Sequence, residues 1–99
     1  MERLKRGQLP IDAVIDLHGM TQAAAHSRIE HVIADSVAAG RRCLLVITGK
    51  GGQGGGILRR RLGDWLNLPS IRPHVLAFTE AQPAHGGGGA FYVLLRRKR

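Results

Sequence analysis

The chain has 99 residues, 43% hydrophobic and 22% charged. That is enough for one globular domain and too little for a full dinucleotide-binding domain, a TIM barrel or a kinase. Fifteen Lys and Arg against seven Asp and Glu leave a formal charge of +8, which points to a polyanionic partner, nucleic acid first among them.

Residues 1–11 read as a basic N-terminal arm, carrying Arg3, Lys5 and Arg6 and closing on Pro10 and Ile11. No apolar stretch follows the first charges, so the start does not read as a signal peptide, and no run reaches the roughly 18 apolar residues of a membrane span. Residues 12–18 alternate as a strand, with Ile15 and Leu17 inward and Asp16 and His18 on the opposite face. Gly19 ends it. Thr21 is a fitting N-cap for a helix over 22–39, whose face is Ala25, Ile29, Val32, Ile33 and Val37 and whose stop is Gly40. The unbroken apolar run 43–47 predicts a strand buried on both faces. It holds the lone Cys43, which reads as a buried thiol in a cytoplasmic protein.

Residues 49–56 contain six glycines. A second helix is expected over 57–67, with Ile57, Leu58, Leu62, Trp65 and Leu66 on its apolar face and Pro69 beyond its end. A third strand follows over 75–79, then a loop over 80–89, a fourth strand over 90–95 and a basic tail from Arg96. The order β-α-β-α-β-β predicts an α/β two-layer sandwich: a four-stranded mixed sheet with two helices, filling residues 12–99 as one domain.

Several groups carry chemistry. Gly49, Gly51 and Gly54 satisfy G-x-G-x-x-G, but a glycine-rich stretch matches that pattern almost automatically. No acidic residue is expected at the end of a following strand, with Asp64 in a helix and Glu80 in a loop, and Lys50 is followed by Gly51 where a Walker loop has Ser or Thr. No nucleotide cofactor is therefore expected. The glycines still let backbone N–H groups approach an anion, and the helix beyond them and Lys50 add positive charge, so the loop is either a phosphate cradle or a plain linker. Asp16 and His18, two apart on a strand, can share a water, bind a metal or work as an oriented base; otherwise they are a solvated strand end. His26 and His31 are five apart on a helix, the wrong spacing for one metal, and are expected at the surface. Arg59, in the first turn of its helix, opposes the helix dipole and so is a candidate for function. Four aromatics argue against a base-stacking platform of the RRM or OB kind, and Phe91 and Tyr92 are expected in the core.

Three blocks taken together resemble the Smr (small MutS-related) domain: Ile15-Asp16-Leu17-His18-Gly19 with Thr21; Ile47-Thr48-Gly49-Lys50-Gly51 running into Gly56-Ile57-Leu58-Arg59; and His85-Gly86-Gly87-Gly88-Gly89-Ala90 running into Tyr92-Val93-Leu94-Leu95. The resemblance covers residues 12–97. It implies the β-α-β-α-β-β fold and nicking or cleavage of nucleic acid, with the family's D-x-H motif on Asp16 and His18. It departs at Thr48, where many active members carry His. Stand-alone members usually have a disordered segment before the domain, and residues 1–11 resemble its end.

The expected function is therefore a nucleic-acid-binding domain that cleaves phosphodiester bonds in DNA or RNA, with a non-catalytic nucleic-acid or ribosome-binding module as the alternative. Asp16, His18, Lys50 and Arg59 are the catalytic candidates. Thr48, Gly49, Lys50, Gly51, Arg59, Arg60, His85, Arg96 and Arg97 are the nucleic-acid-binding candidates. No dedicated metal-ligand set is expected, although a carboxylate beside a phosphate suits Mg²⁺ or Mn²⁺.

Overall fold

The structure is a computed structural model that describes residues 10–49, 55–85 and 87–96. The basic arm over 1–9, Lys50, Gly51, Gly54 and Arg97 lie outside the described residues. Strand β1 (Ala13–Asp16) has Ile15 buried and Val14 and Asp16 exposed, as alternation requires. It is shorter than the expected 12–18. The Asp16 carboxylate accepts the His18 amide N–H at 3.0 Å, an Asx-type turn that takes the chain out of the ladder, and Gly19 follows at φ 81°. Leu17 stays inward, fully buried, and donates its N–H to the Ile47 carbonyl at 2.7 Å.

Helix α1 (Gln22–Ala39) begins at Thr21, whose Oγ1 accepts the Ala24 N–H at 3.1 Å, and ends at Gly40 in the left-handed region at φ 77°. Its buried face is Ala25, Ile29, Val32, Ile33 and Ser36; Val37, expected there, is half-buried. Strand β2 (Cys43–Ile47) is buried almost throughout, and burial pushes the Cys43 thiol up to about 11.

Helix α2 (Gly55–Leu66) starts inside the glycine run, two residues before the expected 57. Leu58, Leu62, Trp65 and Leu66 are buried at i, i+4, i+7 and i+8. Ile57 is 46% exposed, because it falls one position off that stripe, on the row that continues to Arg61. The early start also moves Arg59 out of the first turn. His26, expected at the surface, is half-buried instead: its ring stacks on Trp65 at 5.3 Å with an interplanar angle of 6°. Strand β3 (Val75–Glu80) follows a short 3-10 turn at Arg72–His74, and Glu80 ends the strand where a loop was expected. Two more 3-10 turns, Pro83–His85 and Gly87–Gly89, lead to strand β4 (Ala90–Leu95).

The sheet order is β1-β2-β4-β3. β1 and β2 are parallel; β4 inserts antiparallel between β2 and β3. The last strand therefore separates the two strands that α2 connects. Glu80 does end a strand, but that strand lies at the far edge of the sheet, not beside the one that feeds the glycine loop. Both helices pack on one sheet face over Ile15, Leu44, Val46, Val93 and Leu95. On the reverse face Cys43, Leu45, Tyr92 and Leu94 form a smaller cluster with Ala81 and Ala90, and Ile11 packs against it.

Two adjacent rows of the ladder set the position of the candidate residues: Asp16 pairs with Ile47 and Ile47 with Ala90, and in the next row Phe91 pairs with Glu80. The carboxyl ends of β1, β2 and β3 and the amino end of β4 thus share one edge, the same edge from which α1 and α2 start.

Candidate nucleic-acid interface

At the end of β1, Asp16 Oδ1 and His18 Nδ1 are 2.7 Å apart, and the side chains are 50% and 68% exposed. The hydrogen bond from the His18 ring, followed by the one from its backbone N–H, holds the Asp16 carboxyl below its ordinary value. An ionised Asp16 can only accept, so His18 Nδ1 is the donor, and Nε2 is the ring nitrogen left for another partner. This is the arrangement of an oriented base.

Next to it the β2 strand end is clamped to the start of β4. The N–H groups of Thr48 and Gly49 both donate to the Gly89 carbonyl, at 2.8 and 3.0 Å. Gly49 is at φ 89°, a conformation that favours glycine. Thr48 is fully buried, and its hydroxyl donates to the Gly49 carbonyl at 3.1 Å. This corrects the expectation that Thr48 contacts nucleic acid: solvent does not reach its side chain, which instead holds the two glycine segments together.

From α2, Arg59 reaches over the sheet. Its Nη2 donates to Glu80 Oε1 at 3.0 Å, and its guanidinium lies 5.9 Å from the Phe91 ring centroid. Arg60 is exposed beside it, and Gly56, Arg59, Arg60 and Phe91 line a shallow depression. On the loop before β4, His85 Nδ1 is 2.6 Å from the buried Tyr92 hydroxyl, which also accepts the Gln82 N–H at 3.3 Å. The Tyr92 hydroxyl thus holds the His85 ring at Nδ1.

The same end of the sheet therefore carries Asp16, His18, Gly49, Arg59, Arg60 and His85, with Arg59 on the helix-side face at Phe91 and His85 on the reverse face at Tyr92. It does not include Arg96. That residue follows the carboxyl end of β4, across a six-residue strand and about 17 Å from the edge. Its neighbours are His74, whose carbonyl accepts the Arg96 N–H, and Arg42, whose Nε donates to the Leu95 carbonyl. Arg96 thus belongs to a second basic group at the opposite end, because an odd number of reversals puts the end of β4 where β2 begins. Glu80 and Tyr92 were missed as site residues. Only the cross-strand register sets Glu80 beside Phe91 and only the loop return brings His85 onto Tyr92; neither pairing has a local sequence signal.

Among the described residues no three His, Cys, Asp or Glu side chains converge, and Asp16 Oδ1 already accepts two hydrogen bonds from His18. The described side chains thus form no cage for a divalent cation. Among the described residues no helix is long and apolar enough to cross a membrane.

The family model of the Smr domain matches residues 15–96. The chain belongs to the Smr domain family. Its matches bear that out in sequence and in shape. Ribosome rescue factor SmrB of Tolumonas auensis is 34% identical over 97 residues, covering 98% of this chain and 52% of the relative. The protein of the same name from Vibrio vulnificus is 38% identical over 95 residues, covering 96% and 51%. This Smr domain thus spans about half the length of the curated relatives it matches. Among solved structures, the stand-alone small MutS-related protein YdaL of Escherichia coli aligns with a TM-score of 0.82 at 31% identity, over 97% of this chain and 73% of that one. The Smr domain of Thermus thermophilus MutS2 aligns with a TM-score of 0.72 at 31% identity, over 85% and 98%. The fold is accordingly the expected α/β sandwich with a four-stranded mixed sheet and two helices.

Proposed function

We propose that this Smr domain binds RNA of the ribosome through the edge where β1, β2 and β3 end. The observation that carries it is that Arg59, Arg60 and His85 lie at the end of the sheet where β2 and β3 finish, in a protein of charge +8. Guanidinium groups side by side at one end of the sheet suit phosphate. The relatives named as ribosome rescue factors make ribosomal RNA, or messenger RNA held on the ribosome, the fitting polyanion. Co-sedimentation with purified ribosomes tests it. Replacing Arg59 and Arg60 together by Glu is expected to lower the bound fraction at least about tenfold, the cost of a few charge-assisted contacts. Arg96→Glu is expected to change it little. Equal pelleting of all three proteins would sink the proposal.

A second reading adds cleavage, and the 2.7 Å contact between Asp16 and His18 favours it. With Nδ1–H held by the carboxylate, Nε2 can take the proton of a ribose 2′-hydroxyl as its oxygen attacks the adjacent phosphorus. The P–O5′ bond then breaks, giving a 2′,3′-cyclic phosphate and a 5′-hydroxyl, with the leaving oxygen protonated by water or by the imidazolium. Arg59 and Lys50 are the cations suited to the charge that develops on the phosphoryl oxygens. Incubation of ribosome-bound RNA with the domain, followed by end-group analysis, separates this from binding alone.

A further inference from the structure

Glu80 is out of place on an edge that is otherwise basic. A carboxylate there repels phosphate, and through its 3.0 Å contact it occupies Arg59, the cation best placed to hold phosphate. Two contacts fix the Arg59 guanidinium: Glu80 at its donor edge and Phe91 at its face. Glu80 and Phe91 are cross-strand partners, so their side chains stand on the same sheet face, and Phe91 is only half-buried. The pair therefore offers an aromatic face with a carboxylate beside it, and Phe91 opens on the depression it lines with Gly56, Arg59 and Arg60.

Those two features recognise a planar group with two adjacent N–H donors. A guanidinium is one such group. Guanine is another, since its N1–C2–N2 edge is itself a guanidine fragment and presents N1–H and N2–H side by side. Adenine and cytosine set an acceptor beside their single amino group, and uracil flanks its one N–H with two carbonyls, so each turns a lone pair toward a carboxylate. We infer that Phe91 and Glu80 form a recognition site for an unpaired guanine base, which the Arg59 guanidinium fills in the free protein. On binding, the base takes the face of Phe91 and both oxygens of Glu80, and Arg59 swings to the phosphate of the same nucleotide. The exchange keeps Glu80 satisfied in both states, so its negative charge costs little when guanine is present and the full repulsion when it is not. A base must be out of its stack to reach the site, which commits it to single-stranded RNA. The site deepens the RNA-binding proposal and rests on it.

Fluorescence anisotropy with short oligouridylates that carry one central guanosine, adenosine, cytidine or abasic nucleotide tests the site. The unaltered domain is expected to bind the guanosine strand about tenfold more tightly than the adenosine or cytidine strand, the discrimination that one bidentate base contact supplies. Glu80→Leu removes both acceptors and frees Arg59. It is expected to abolish that preference while binding the adenosine strand at least as well as the parent does. Phe91→Leu is expected to bring the guanosine strand down to the level of the abasic one. Circular dichroism checks that both variants fold. No guanosine preference in the parent overturns the site, as does a Glu80→Leu variant that binds all strands more tightly by one common factor; in both cases RNA binding itself stands. A parent that binds neither the oligonucleotides nor ribosomes removes the RNA-binding proposal and the guanine site with it.

Discussion

Asp12 and Asp16 flank the same short strand, and both carboxyls are held below their ordinary value, by different donors. Asp12 Oδ2 accepts the backbone N–H groups of Arg42 at 2.7 Å and of Cys43 at 3.1 Å, and the Arg42 bond is the larger cause. Asp16 is held first by the His18 ring. A depressed carboxyl value in the folded state means that the carboxylate stabilises the fold above the ordinary carboxyl value, and that this is lost as pH falls through the folded value. Asp12→Asn is therefore expected to lower stability at pH 7 by about 1 kcal/mol, since solvent screens the site, with the difference from the parent starting to shrink near the ordinary carboxyl value of about 4 and lost only beneath the folded value. Urea midpoints measured at both ends of that range check it. If the domain cleaves RNA, the consequence at Asp16 is chemical. His18→Ala is expected to cut RNA cleavage by about 100-fold or more, the usual contribution of a general base, with ribosome binding changed less than about threefold. Asp16→Asn should fall between the two, because an amide oxygen can still accept from Nδ1. A His18→Ala domain that cleaves at the parental rate would leave binding as the edge's whole function.

Helix α2 shows how an element can be built for placement at some cost to itself. It begins in glycines, carries three consecutive arginines and has Gly63 in its middle. Glycine at such a position costs about 0.5–1 kcal/mol relative to alanine. A Cβ built at Gly63 meets only Phe78 Cζ, at 3.9 Å, an ordinary contact. Gly63→Ala is thus expected to stabilise the domain by about 0.5–1 kcal/mol and raise the thermal midpoint by about 4 °C, without altering RNA binding. Differential scanning calorimetry reads the shift. A drop in the midpoint would mean that Phe78 cannot give way. Gly49, at φ 89°, is the contrasting case, where a side chain would strain the backbone beside the clamp onto Gly89.

Among the described residues, Arg59 and Arg60 stand at one end of the sheet and Arg41, Arg42 and Arg96 at the other. If a single strand of RNA neutralises about four cations at the first end, log K should fall against log salt with a slope of about −3, from about −0.7 per phosphate. Arg60→Ala should make the slope shallower by about 0.7 unit, and Arg96→Ala should leave it unchanged. Equal effects of the two would spread the interface over the molecule.

The hydrophobic pattern determined the elements and their class. Alternation around Ile15 and Leu17, the period of Ala25 to Ile33 and the unbroken run at Cys43–Ile47 are local signals, because burial on one face or two writes itself directly into neighbouring residues. Asp16 and His18 were legible as a pair two apart, but strand alternation is not what joins them: β1 ends at Asp16 and the turn after it brings His18 onto the carboxylate. Everything that depends on which strands lie side by side was decided by the tertiary structure. The insertion of β4 between β2 and β3 brings Glu80 to Phe91 and Arg59, carries Arg96 to the far end, and buries Thr48 under the Gly49–Gly89 clamp. These pairings join residues as much as 41 positions apart, and their cause is the packing of one sheet against two helices, which no stretch of sequence contains by itself.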